Sequence, residues 1–292
     1  GFESGIVNVG EVVNRGFELE LRSRNYVSEK FSWSSTIIGT TNKNELTDFG
    51  DSDGQILEDQ FGRNSQWINL VGNPISAFYG FVVDEELADQ YWRTPYFPIN
   101  GLSEDIIVRD LNGDGLITNA DKTILGDPYP DLIWSFTNDF VIGPVDLSIM
   151  FQGSHGAQVR NVGDQYFFTH WQGNTNSPAE VVADGVITHP SFLQERVLTN
   201  DIIQNADFIS LRNVTLGLDM NRLIPGLLDK IKVRNFRIYL TGQNIVFITD
   251  EDYNGFNPEF VESNSRIINA WGSQRAGSPV TKTYSVGVNF DF

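Results

Sequence analysis

Oxygen-bearing groups recur at fixed intervals in "DLNGDGLITNAD", residues 110–121. A calcium loop of the EF type takes ligands at positions 1, 3, 5, 7 through a backbone carbonyl, 9 often through water, and 12, with glycine at 6 for a sharp turn. Asp110, Asn112, Asp114, the Leu116 carbonyl, Thr118 and Asp121 occupy those positions, and Gly115 is sixth. An aspartate at the twelfth position reaches less far than the usual glutamate. The spacing predicts a structural Ca2+, with Mg2+ as the alternative. The other reading is an Asx-rich turn held by its own side-chain hydrogen bonds.

Catalytic chemistry finds little to work with. The chain has no cysteine, which removes thiolate metal sites, disulfides and a cysteine nucleophile. His155, His170 and His189 match no zinc spacing and read as surface histidines. There is no G-x-S-x-G elbow and no phosphate-cradling glycine loop. An acid/base pair of carboxylates cannot be singled out among 38 acidic residues. The chain therefore reads as a non-enzyme. The formal net charge of −18 repels phosphate backbones and argues against a nucleic-acid partner. Two clusters of aromatic rings remain: Tyr166, Phe167, Phe168 and Trp171, and Tyr253, Phe256, Phe260 and Trp271. They suit stacking on a sugar or peptide, contact with a partner, or packing of loops against each other, and packing is the plainer reading.

The elements that must carry these residues are strands. In "TKTYSVGVNFDF", Tyr284, Val286, Val288, Phe290 and Phe292 alternate with small or polar residues, a period of two with one apolar face. Phe17, Leu19 and Leu21 repeat the pattern, as do Val145, Leu147, Ile149 and Phe151, and Val214, Leu216, Leu218 and Met220. Further strands are expected at about 31–40, 66–71, 76–83, 132–140 and 232–248, roughly nine in all. Short links, at about 25–30, 72–75, 141–144 and 221–231, alternate with long ones, at about 41–65, 84–131, 154–205 and 249–278. That order fits an up-and-down transmembrane barrel with tight turns at one end and long loops at the other. Four loops longer than about 15 residues fit an ordinary soluble domain poorly. Trp33, Trp134, Phe136 and Phe140 suit a lipid-facing aromatic girdle. No charged-then-apolar leader opens the chain at "GFESGIVNVG", so an export signal is expected outside it.

In order along the chain, "NVGEVVNRGFELEL" at 8–21, "VGNPISAFYGFVVD" at 71–84, "VRDLNGDGLITNADKTILGDPYPDLIWSFTNDF" at 108–140, "MFQGSHGAQVRN" at 150–161, "ADFISLRNVTLGLDM" at 206–220, "FRIYLTGQNIVFITDEDYNGFNPEF" at 236–260 and the closing "YSVGVNFDF" resemble the SusC/RagA-like TonB-dependent transporters. The resemblance implies an all-β, antiparallel transmembrane β-barrel segment: about nine strands of a barrel of about 22 around a plug. Residues 1–292 would be the C-terminal part of that barrel, the plug and the TonB-contacting segment lying outside this chain. It also implies an outer-membrane location in a Gram-negative bacterium and import of an oligosaccharide or oligopeptide. The implied partners are a SusD-like surface lipoprotein, the TonB complex acting through the missing N-terminal part, the remaining segment of the same transporter, and outer-membrane lipid. Tyr284, Val286, Val288, Phe290 and Phe292 would carry the barrel-assembly signal. The rival from another class is a secreted, calcium-dependent β-sandwich adhesin or glycan-binding module.

Overall fold

The structure is a computed structural model that describes residues 10–58, 66–84, 108–163, 199–224, 226, 233–259, 271–274 and 277–291. Seven strands form its main sheet: β1 (Glu11–Val27), β2 (Phe31–Asp48), β7 (Leu132–Ile142), β8 (Val145–His155), β11 (Phe208–Asp219), β12 (Asn235–Thr249) and β14 (Thr283–Asp291). Each is hydrogen-bonded antiparallel to the next in that order. Seven of the nine expected strands are here. The other two, β4 (Gln66–Leu70) and β5 (Ala77–Gly80), lie in a four-stranded sheet with β3 (Gly54–Glu58) and β6 (Thr123–Gly126). A third sheet joins β9 (Gln158–Asn161), β10 (Ile203–Asn205) and β13 (Ser273–Gln274). Transferring β4 and β5 out of the main sheet leaves its alternation of short and long links intact. Links 28–30, 143–144 and 220–234 lie at one end, and links 49–131, 156–207 and 250–282 at the other. The short helix α1 (Met220–Leu223) sits in the third short link.

Period-two alternation gives the main sheet one apolar and one polar face. Register puts Leu21 beside Ile37 and Phe136 beside Phe151, and Leu216 lies between Leu147 and Leu240. The apolar face is bare: Phe17 is 64% exposed, Leu216 47% and Val286 76%. Buried apolar side chains gather instead around the two small sheets. Phe81, Val108, Val162 and Ile202 form one cluster, Trp67 and Phe78 a second, and Val159, Ala206 and Tyr253 a third. Because these residues come from all three long links, the links share one packed module at their end of the main sheet. Strands β1 and β2 run on into it. Leu46 exchanges backbone hydrogen bonds with the β4–β5 turn, donating to the Asn73 carbonyl at 2.9 Å and accepting from Gly72 at 2.8 Å.

Aromatic rings mark the short-link end of the apolar face. Tyr26 lies 5.7 Å from Phe31, and Trp33 stacks 6.0 Å from Phe140. Trp33, Trp134, Phe136 and Phe140 all share this face by register. Near that end a polar patch interrupts the apolar surface. Asn138 Oδ1 accepts from Trp33 Nε1 at 3.0 Å and from Ser35 Oγ at 2.8 Å, and Ser35 in turn accepts from Asn25 at 2.6 Å. Asn138 and Ser35 are buried by their neighbours, which limits the cost of placing them on an apolar face.

Candidate functional site

The loop 110–121 is held at both ends by the small-sheet module. Arg109 N–H donates to the Val82 carbonyl at 2.9 Å, and Val83 bridges Val108. At the exit, Lys122 Nζ donates to Gln66 at 2.8 Å and lies 5.2 Å from the Phe81 ring centre. Gly113 and Gly115 have φ of 74° and 81°, left-handed conformations that favour glycine and give the loop its tight curl. Asp110 accepts from Gly113 and Gly115 N–H, each at 2.7 Å. The Gly115 N–H first, then those of Gly113 and Asp114, hold the Asp110 carboxyl below its ordinary value. Asn112 accepts from Asp114 N–H at 2.9 Å and donates to Asp114 Oδ2 at 3.1 Å, while Asp114 Oδ1 accepts from Leu116 N–H at 2.8 Å.

Asp121 differs from the rest of the ring. It is fully buried, and its carboxylate gathers the N–H groups of Leu111, Asn112 and Thr118 at 3.0, 3.3 and 2.7 Å. With Thr118 it forms the capping box of a one-turn 3-10 helix. The donor set fits a hard cation in kind, being oxygen throughout. Among the described residues, however, no three His, Cys, Asp or Glu side chains converge closely enough to hold a metal ion. As it stands, the loop is stabilised by its own backbone donors, and those bonds leave further lone pairs on each carboxylate.

The aromatic candidates separate by burial. Tyr253 is 7% exposed; its hydroxyl donates to Gln274 at 2.8 Å and accepts from Asn257 N–H at 3.1 Å. Burial pushes its phenol up to about 12. Its place is therefore in the packed module. Phe256 and Trp271 are half exposed, and the Trp271 carbonyl accepts from Trp67 Nε1 at 3.0 Å. Tyr166, Phe167, Phe168, Trp171 and Phe260 lie outside the described residues, as do His170, His189 and Phe292. His155 ends β8 on the apolar face, stacked 6.5 Å from Trp134 and 3.2 Å from Asp207. Tyr284, Val286, Val288 and Phe290 form one exposed row on β14.

Arg212 was not prominent in the sequence, yet it makes the most elaborate contact on the polar face. It occupies a register break between Leu211 and Asn213 on both sides of β11. That bulge aims it at Glu259, which it grips with two bonds at 2.6 and 3.0 Å. Gln152 and Asn244 accept at 2.8 and 3.0 Å, and the guanidinium lies 5.8 and 5.9 Å from the stacked rings of Phe208 and Phe247. The pair ties the link after β12 down to the main sheet. A signal existed: apolar residues fall on odd positions at Ile209 and Leu211 and on even positions from Val214, and that phase slip marks a bulge. A second ion pair, Arg237 with Asp146, crosses Gly217 near the short-link end.

Comparison with known proteins follows from this geometry. No family model matches the chain. TonB-dependent receptor P3 of Formosa agariphila is 27% identical over 307 residues, taking in 100% of this chain and 30% of that protein. TonB-dependent receptor SusC of Bacteroides thetaiotaomicron is 26% identical over 267 residues, 86% of this chain and 24% of the receptor. The chain thus spans about a third or less of the length of the relatives it matches. Among solved structures, the RagAB peptide importer in its open-open state superposes with a TM-score of 0.68 at 20% identity, over 98% of this chain and 29% of the other. The closed-closed state gives 0.67 at 21%, over 98% and 30%. At that identity the likeness concerns the fold.

Proposed function

We propose that the chain belongs with the SusC/RagA-like TonB-dependent receptors and forms part of the barrel wall and outer module of an outer-membrane importer. The observation that carries this is the seven-stranded sheet itself. One face is mostly apolar, with many of its large side chains exposed, and every long link sits at one end. Such a face is stable against lipid and would drive aggregation in water. The polar face, with the ion pairs of Arg212 and Arg237, lines the lumen. The packed module stands on the cell's outer side, where it meets a SusD-like lipoprotein and cargo. The cargo is an oligosaccharide or oligopeptide, and TonB supplies the energy through the rest of the receptor. The chain's part in this is transport and not catalysis.

The full-length receptor, expressed in its host, tests this. It is expected in the detergent-extracted outer-membrane fraction with a surface lipoprotein copurifying, and labelled oligomer uptake should stop on loss of TonB. Recovery in buffer without detergent would favour the adhesin.

The loop 110–121 adds a cation to this reading. Asp110, Asn112, Asp114, the Leu116 carbonyl, Thr118 and Asp121 would hold Ca2+, or Mg2+ with shorter bonds and fewer ligands, and pin the outer module without taking part in chemistry. What supports it is the spacing and the all-oxygen donor set. Protease cleavage of this loop in the intact receptor should quicken when chelator is added. Equal rates would leave the loop as a self-capped turn.

A further inference from the structure

The outer rim of the apolar face carries a feature that transport does not require. Phe17, Thr41, Leu132 and His155 are successive cross-strand partners over β1, β2, β7 and β8, and they make the last rung of the apolar face before the outer module. One rung further out on the same face, Arg15 stands directly opposite Lys43. Like charges in that position repel and weaken strand pairing. Both are exposed, and Lys43 lies 3.7 Å from Glu45, with side-chain exposures of 76% and 38%. An exposed pair at that distance contributes little. In a chain of net charge −18, two facing cations are a local reversal of sign.

Their depth gives the reversal a meaning. The aromatic band at the other end of the face includes Tyr26 on β1. From Phe17 to Tyr26 is about nine steps, or roughly 30 Å of strand at ~3.3 Å each. Tilted by about 40°, that covers a height of about 23 Å, close to the roughly 25 Å apolar band of a membrane barrel. Arg15 and Lys43, two residues beyond, then lie roughly 5 Å above the hydrocarbon, at the level of lipid headgroups. Their inner side is closed off. On the opposite face of the same hairpin, Asn44 accepts from Ile75 N–H at 2.9 Å, and Leu46 is buried against the β4–β5 turn. The cations are left facing outward, over the lipid.

We propose that Arg15 and Lys43 form a binding site for the phosphate of an outer-leaflet lipid headgroup, anchoring the rim of the barrel beneath the outer module. A phosphate between them would neutralise both charges and turn the repulsion into a shared contact, with arginine offering a planar fork and lysine a point charge. Glu45 is the built-in competitor, since it stands beside Lys43 on the same face. The proposal rests on the outer-membrane reading given above.

The test uses the full-length receptor in detergent, titrated with dioleoyl phosphatidic acid and, as a neutral-headgroup control, dioleoyl phosphatidylcholine, with bound lipid counted by native mass spectrometry. The double variant Arg15→Gln, Lys43→Gln is expected to lose roughly 25-fold in phosphatidic-acid affinity, since each surface cation near an anionic headgroup is worth roughly fivefold. Phosphatidylcholine binding should not change. Glu45→Gln should tighten phosphatidic acid, and Lys43→Arg should keep it. Unaltered phosphatidic-acid retention in the double variant overturns the site, and so does displacement of the lipid by inorganic phosphate at equal concentration. Outer-membrane fractionation of the same variants separates the two readings: a receptor absent from that fraction defeats the membrane assignment, while one present there without headgroup preference defeats only the rim site.

Discussion

Asp110 sets the curl of its loop through a single side chain. Its carboxylate gathers the N–H groups of both left-handed glycines, and these bonds lower its pKa. A carboxyl with a folded value below its unfolded value contributes stability above the unfolded pKa and loses it as the pH falls through the folded one. The curl of the loop should therefore persist through neutral and mildly acid solution and loosen below a pH of about 4. Hydrogen exchange at Gly113 and Gly115, corrected for intrinsic rate, is the measurement, and Asp110→Asn should lack the acid step. Uniform protection down to strong acid would assign the curl to the glycines alone. The spacing of this loop was readable from sequence; the use of Asp121 was not. Position 12 of a calcium loop and the third residue of a capping box place the same demand on residue type, and only burial separates them.

At the scale of elements, Gly217 shows how a strand accommodates its neighbours. A side chain there would collide with Asp146 and with Arg237, which meet across β11 over the glycine's bare backbone. Gly217→Val should displace the ion pair and destabilise the sheet by about 1–2 kcal/mol, a partly exposed bidentate pair being worth no more. Urea unfolding of the receptor in detergent is the readout, with Thr215→Val, on the same face of β11, as a control expected to cost less. A midpoint unchanged by Gly217→Val would show that the pair contributes nothing to stability. Strands of the main sheet were legible because one face of each meets a uniform medium, so apolar and polar residues must alternate. β4 was legible as a strand but not in its location. Trp67, Ile68 and Asn69 are consecutive and all buried, a pattern of two covered faces that belongs to a packed module. β2 was expected to stop near residue 40, where its continuation turns polar; pairing with β1 from Gly16 back to Glu11 carries it to Asp48.

Across the whole molecule, β1 and β14 are the two margins of the main sheet, each hydrogen-bonded along only one edge among the described residues. A bare edge of such length invites pairing. In the full-length receptor, the outward-pointing amides of β1 should be protected from exchange by a neighbouring strand of the same molecule, and those of this chain refolded alone in detergent should not. Equal protection in both would mean that the segment closes on itself. The up-and-down order of the sheet could be read from the alternation of link lengths. The shared core of the three long links could not, because Phe81, Val108, Val162 and Ile202 are brought together by contacts between distant segments that no local pattern encodes. The alternation within each strand has a last consequence, for the chain's journey before it folds. Mean hydropathy is only −0.22, and no helix of the described residues is long and apolar enough to cross a membrane. A translocation channel that releases any run of about 18 apolar residues sideways into the inner membrane finds no such run here, because polar residues interrupt the apolar ones within a few positions along every strand. The apolar face comes into being only when neighbouring strands pair; on the outer-membrane reading proposed above, the same residues that would strand a helical protein in the first bilayer pass through it unnoticed and become sticky in the second.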